Sequence, residues 1–196
     1  MRTENLIVYI HGKGGSAAES EHYRKIFPDF EVIGFDYKAE NPWDAKVEFQ
    51  KFFSRCGKAT IIANSIGAFF AMHALSDKFI ERAIFISPIV DMEKLILNMM
   101  RRANITEAEL RDKQEIENLS WEYLSYVREN PIAWNVPTDI LYGENDALTS
   151  LETITAFAKK IGATLTVITG GEHWFHTPEQ MKFLDNWLRQ WSVKRG

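Results

Sequence analysis

Cysteine is almost absent. Cys56 is the only one in 196 residues, so no internal disulfide can form, and a reducing, cytoplasmic setting is expected. Cys56 stands beside Gly57 with no histidine near it in sequence, which makes it a poor nucleophile. An excess of positive charge is also lacking: 23 Lys and Arg face 27 Asp and Glu, for a net charge of −4. No basic stripe is offered to nucleic acid or to an anionic membrane. Long apolar runs are missing too. Leu6 to Ile10 is only strand-length before it meets His11-Gly12, so neither a leader peptide nor a membrane span is expected. Internal repeats, linkers and low-complexity tracts are not found. What is present is core: 45% of the residues are hydrophobic, including 13 Phe, 6 Trp and 6 Tyr. That composition excludes disorder and suits one globular domain over residues 1–196.

The apolar material alternates in type along the chain. Strand-like runs fall at 6–10, 30–35, 59–63, 82–86, 138–142 and 164–168. Helical patterns separate them at 19–27, 41–55, 66–75, 151–161 and from Pro178 onward. Asn41-Pro42 and Thr177-Pro178-x-Gln180 carry start signals, and Gly162 a stop signal. The helix from Asn41 is expected to bury Trp43, Val47 and Phe52 or Phe53. The closing helix is expected to bury Met181, Leu184, Trp187 or Leu188, and Trp191. Alternating strands and helices predict an α/β fold: a three-layer α/β/α sandwich around a mostly parallel six-stranded sheet. Residues 90–135 interrupt this rhythm. They are helical in pattern, with Leu95, Ile96, Met99 and Met100 at helical spacing and a capping box at Thr106 and Glu109.

Chemistry concentrates at the stretch Thr60-Ile61-Ile62-Ala63-Asn64-Ser65-Ile66-Gly67-Ala68. It reads as strand, sharp turn and helix with a serine on the turn, the pattern of a nucleophile elbow. Ala63 and Gly67 must be small, because side chains there would collide across so tight a turn. A serine hydroxyl needs a base in contact, and the base needs an orienting acid. In an open parallel sheet these arise from loops at the carboxyl ends of strands. Ser65 follows the third strand, Asp146 the fifth and His173 the sixth. Oxyanion donors are also needed. Ile66 supplies one backbone N–H, and the glycine-rich loop His11 to Ser16 is expected to supply the other.

These motifs resemble those of small α/β-hydrolase fold proteins: His11-Gly12 after the first strand, the elbow from Ala63 to Gly67, Gly143-Glu144-Asn145-Asp146, and Gly171-Glu172-His173. The resemblance spans nearly the whole chain. It implies Ser65 as nucleophile, His173 as base, Asp146 as orienting acid, and the N–H groups of Lys13 and Ile66 as the oxyanion hole. It implies an esterase-like serine hydrolase acting on a small ester-like molecule without cofactor or metal. It places residues 90–135 where the family inserts a cap, which would shape the substrate pocket. Ala63 stands where the family most often has glycine. The chain opens at the family's usual third strand, so a trimmed sheet is expected.

Competing assignments exist for several residues. His176 is a rival base, and Glu144 and Asp91 are rival acids. His173 and His176 have a spacing seen in metal sites, but no further ligand cluster accompanies them. His11, His22 and His73 are read as structural. Gly12 to Ala17 also fits G-x-G-x-x-A after a strand, with Asp36 at the end of the next, the pattern of a dinucleotide-binding domain. A non-catalytic interaction protein on the same fold is the remaining alternative.

Overall fold

Six apolar runs become six parallel strands in the computed structural model, which describes residues 5–116 and 118–193. They are β1 (Leu6–Ile10), β2 (Glu31–Phe35), β3 (Ala59–Asn64), β4 (Ile80–Ile86), β7 (Thr138–Gly143) and β8 (Thr164–Ile168). The order across the sheet is β2-β1-β3-β4-β7-β8, and every pairing is parallel. The order reverses between β1 and β3. The loops leaving these two strands therefore part there and open a crevice, where ligands of open α/β sheets bind.

Strand alternation feeds two cores. Val8 and Ile10 of β1 join a core built with α2 (Pro42–Phe53), α3 (Ile66–Ala74) and α7 (Leu151–Ile161). Ile7 and Tyr9 face the opposite side, toward α1 (Ser20–Arg24) and α8 (Pro178–Val193). Burial on both faces is why the strands read as continuous apolar runs. The expected three-layer arrangement is therefore present, with the glycine-loop side covered by α1 and α8.

Two helices depart from their expected form. In α2 the buried face is Pro42, Ala45, Phe49 and Phe53, while Val47 is 69% exposed. Ala45, Phe49 and Phe53 are spaced four apart, so they make one stripe. Trp43 is drawn sideways instead, with its ring 5.3 Å from Tyr126. The helix expected over 19–27 is a 3-10 turn at Ala17–Glu19 followed by five residues of α1. Beyond it, Ile26 and Phe27 both donate to the Tyr23 carbonyl, and this tighter turn buries them. The closing helix buries Leu184, Leu188 and Trp191 as expected.

The segment after β4 contains α4 (Met92–Ala103), α5 (Glu107–Lys113) and α6 (Trp121–Glu129), plus an unexpected short hairpin of β5 (Glu115–Ile116) and β6 (Leu119–Ser120). The Thr106–Glu109 capping box forms. Ile96, Met100, Leu110 and Leu124 are buried in the core shared with α2 and α3, while Met99 is 39% exposed. Arg128 holds the three helices together by pairing with Glu93 at 2.7 Å and Glu107 at 2.8 Å.

His73 on α3 is wedged against Phe69, ring centroids 4.5 Å apart, and near Tyr126 at 6.1 Å. Burial, aided by the charge of Lys46, lowers its pKa from 6.5 to about 4. Between those values the unfolded chain holds the extra proton, so stability falls as the pH drops from 6.5 toward 4. His73→Leu should flatten that part of the profile, read from urea midpoints across the same range. An unchanged slope would contradict the half-buried neutral imidazole.

Candidate active site

Ser65 sits between β3 and α3 with φ 51° and ψ −120°. A residue other than glycine is strained there, at a cost of about 1–3 kcal/mol. The turn is held in place by its neighbours. Ser65 N–H donates to the Ile86 carbonyl at 3.1 Å, and the Ser65 carbonyl accepts from Ala68 and Ile89, each at 3.2 Å. Gly67 lets β1 come close: a Cβ there would stand 2.3 Å from the His11 carbonyl oxygen. Gly67→Ala is thus expected to cost about 2–3 kcal/mol in urea unfolding by pushing the β1 loop off the elbow. A wild-type midpoint would contradict that close approach.

The other side chains arrive from β7 and β8, whose loops are laced together. Asn145 N–H donates to the Gly171 carbonyl at 2.7 Å, and Glu144 N–H to the Ile168 carbonyl at 3.1 Å. Gly143 permits this crossing, since a Cβ there would meet the Glu172 carbonyl at 2.4 Å. The Asp146 side chain is fully buried. Its Oδ1 accepts from the backbone N–H groups of Leu148 at 2.8 Å and Thr149 at 3.0 Å. Below it the Tyr142 hydroxyl donates to the Thr149 carbonyl at 2.6 Å. Burial, with the charge of Asp146, pushes the Tyr142 phenol up to about 12.

These loops bring the three side chains into one line. His173 Nδ1 lies 2.7 Å from Asp146 Oδ2, and His173 Nε2 lies 2.8 Å from Ser65 Oγ. A carboxylate only accepts hydrogen bonds, so Nδ1 carries the imidazole proton and Nε2 offers a lone pair to the serine. The arrangement is able to take a proton from Ser65.

Lys13 lies on the loop beside the elbow, and that loop and Ser65 line one cavity. A Cβ at Gly12 would stand 3.2 Å from Ser65 Cβ, so the loop lies directly against the serine. Ile66 opens α3, where a backbone N–H has no intrahelical acceptor. The cavity measures about 810 Å³. It is lined by the Gly12–Gly15 loop, Glu19, His22 and Tyr23, by Asn64, Ile86 and Leu148, and by Trp174, Phe175, Met181 and Leu184. Among the described residues, none from 90–135 lines it. Neither Trp174 nor Leu148 belongs to any motif of the sequence. Trp174 is 73% exposed and its ring stacks on His176 at 4.7 Å. Adjacency to His173 was the only available signal for it.

The rival residues are occupied elsewhere. His176 Nδ1 lies 2.9 Å from the Trp174 carbonyl and 3.6 Å from Glu172. Glu144 accepts from Gly170 N–H at 3.0 Å. Asp91 caps α4 through Lys94 N–H at 2.9 Å. Asp36 is exposed and paired with Lys38, which lowers its pKa. His11 lies 2.9 Å from the Gly12 carbonyl through Nδ1, and His22 lies 2.8 Å from Asp185. Cys56 is partly buried, and burial raises its pKa. The glycine loop runs into a 3-10 turn rather than opening a helix at once, unlike a dinucleotide fingerprint. Among the described residues, no three His, Cys, Asp or Glu side chains gather as metal ligands. No helix among them is long and apolar enough to cross a membrane.

No protein-family model matches the chain, and no curated protein matches it by sequence. Solved structures do match. A carboxylesterase structure from the thaumarchaeon Nitrososphaera gargenis is 16% identical, with a TM-score of 0.64 over 97% of this chain and 92% of that one. A monoacylglycerol lipase of Paleococcus ferrophilus is 17% identical, with a TM-score of 0.66 over 97% and 95%. Est1E of Butyrivibrio proteoclasticus is 16% identical, with a TM-score of 0.70 over 97% and 87%. With its sheet order and helix layers, the chain has the α/β-hydrolase fold.

Proposed function

We propose that the protein is a serine hydrolase that cleaves a carboxylic ester or thioester. The observation that carries this reading is the line of 2.8 Å and 2.7 Å contacts from Ser65 through His173 to buried Asp146, on a strained turn facing a cavity. Ser65 Oγ attacks the substrate carbonyl carbon while His173 Nε2 takes its proton. Asp146 holds the ring and stabilises the imidazolium. The developing oxyanion is received by the N–H groups of Lys13 and Ile66. The tetrahedral intermediate collapses, His173 returns the proton to the leaving alcohol or thiol, and an acyl-enzyme remains. Water, deprotonated by His173, then attacks the acyl carbon; the bond to Ser65 Oγ breaks, His173 returns the proton to that oxygen, and the acid leaves. The chain's own residues supply every group in this scheme, so it calls for no metal or cofactor.

The esterase and lipase neighbours support ester chemistry, and one Est1E structure holds ferulic acid. The partner is a small ester-like molecule. Apolar Leu148, Phe175, Met181 and Leu184 suit a hydrocarbon portion of it. Residues 90–135 act as an insertion of the one domain that buttresses α2 and α3, and substrate selection falls to α1, α8 and the His173–Phe175 turn. The lone cysteine suits action in the cytoplasm.

A panel of esters, thioesters and amides of graded acyl length, with Ser65→Ala as blank, tests this reading. Turnover of short esters or thioesters that vanishes in the blank is expected. Equal turnover by the blank would refute it.

A further inference from the structure

Tyr9 looks like one more apolar residue of β1, and it is fully buried. Its hydroxyl is not idle. It donates to Glu19 Oε2 and accepts from Asn64 Nδ2 at 3.0 Å. Asn64 is the last residue of β3, directly before Ser65. Glu19 Oε1 accepts from Ser16 N–H at 3.0 Å, at the far end of the glycine loop. Three side chains thus connect the elbow to the end of the loop across the switch point. The direction of each bond follows from chemistry. A carboxylate only accepts, so Tyr9 donates to it and turns a lone pair to the Asn64 amide. Burial holds the phenol well above its ordinary range, so the donor is kept.

We propose that Tyr9, Glu19 and Asn64 are positioning residues that fix the Gly12–Ser16 loop against the nucleophile elbow, and so fix the spacing of the oxyanion donors on Lys13 and Ile66. The proposal rests on the serine hydrolase reading. The near end of the loop has its own tie, because the Tyr37 hydroxyl donates to the His11 carbonyl at 2.8 Å. Within the loop the Gly15 N–H donates to the Gly12 carbonyl at 3.1 Å, and His11 Nδ1 lies 2.9 Å from the same oxygen, so both braces act at Gly12, before Lys13. Gly14 adopts a φ of 77°, the freedom of a residue without a side chain. Without the Glu19 tie, the Lys13 N–H would be held from one side only. A displacement of about 1 Å of such a group costs about a hundredfold in rate. Packing alone does not account for the hydroxyl. The Tyr9 ring stacks on Tyr23 with centroids 4.8 Å apart, and phenylalanine would preserve that contact.

The test compares wild type, Tyr9→Phe and Glu19→Ala with p-nitrophenyl acetate and with a trifluoromethyl ketone that mimics the tetrahedral intermediate. Each variant should lose about tenfold to a hundredfold in kcat, with KM within about threefold of wild type. Affinity for the ketone should fall in proportion to kcat/KM, while affinity for acetate stays. Glu19 is on the surface, so its variant keeps the test open if Tyr9→Phe does not fold. Wild-type kcat in folded variants would overturn the proposal and leave the hydrolase reading standing. Parallel losses in kcat, acetate binding and Tm would also overturn it, as general loosening. Wild type that does not turn over any ester, and is not labelled at Ser65, would remove the hydrolase reading and this proposal with it.

Discussion

Ser65→Ala should lower ester hydrolysis by roughly 10⁵-fold or more, measured as kcat/KM with p-nitrophenyl acetate. The hydroxyl is the group the turn presents to the cavity as nucleophile, and without it His173 has no positioned hydroxyl to activate. The fold should tolerate the change. Alanine inherits the strained φ of 51° at this turn, as serine does, so stability should shift by less than about 1 kcal/mol. Ser65→Gly separates the two properties. It should be as inactive as alanine but more stable in urea by about 1 kcal/mol, because glycine adopts this conformation without strain. A Ser65→Ala protein with a tenth or more of wild-type activity would defeat the assignment of the nucleophile.

Asp146→Asn should lower kcat by about 10³- to 10⁴-fold while keeping the fold. The reason lies in the bonds around the buried carboxylate. Its Oδ1 is committed to the N–H groups of Leu148 and Thr149. An asparagine keeps its carbonyl oxygen there and turns its NH₂ toward His173 Nδ1. That nitrogen must then accept, which moves the ring proton to Nε2. A protonated Nε2 cannot take the proton of Ser65. His173→Ala should fall by a similar factor, since the base itself is gone. Initial rates at saturating ester, with circular dichroism as the check on folding, decide both. Near-wild-type turnover in Asp146→Asn would mean that the histidine is oriented by another group.

Much of this site was legible because its parts are local signals. Ile61 to Gly67 shows a buried strand, a small-residue turn and a helix start within one window. Gly143 to Asp146 and Gly171 to His173 follow strand runs that read clearly. Chain order then predicted which side chains meet, and Ser65, His173 and Asp146 do meet. What could not be read depends on contacts between distant segments. The phase of α2 is ambiguous in sequence because Phe49, Phe52 and Phe53 lie on a wide arc, and small Ala45 gives no signal of burial. The short β5–β6 hairpin is too brief for any periodicity. The cavity walls come from α1 and α8, about 150 residues apart in sequence, so the chain in order does not announce that they face one another. Tyr9 was hidden for a different reason. A tyrosine in an apolar run looks like core, and only the folded chain sets its hydroxyl between Glu19 and Asn64. The capping box that the structure forms between Ser16 and Glu19, three residues apart, is the one local signal that could have exposed the far end of that network.

The most direct measurement is mass spectrometry of the folded protein after incubation with a fluorophosphonate, followed by peptide mapping. The hydrolase reading predicts a single adduct on Ser65, none in Ser65→Ala, and strongly slowed labelling in His173→Ala. Folded wild-type protein that remains unmodified, or carries the adduct on a residue other than Ser65, would contradict it.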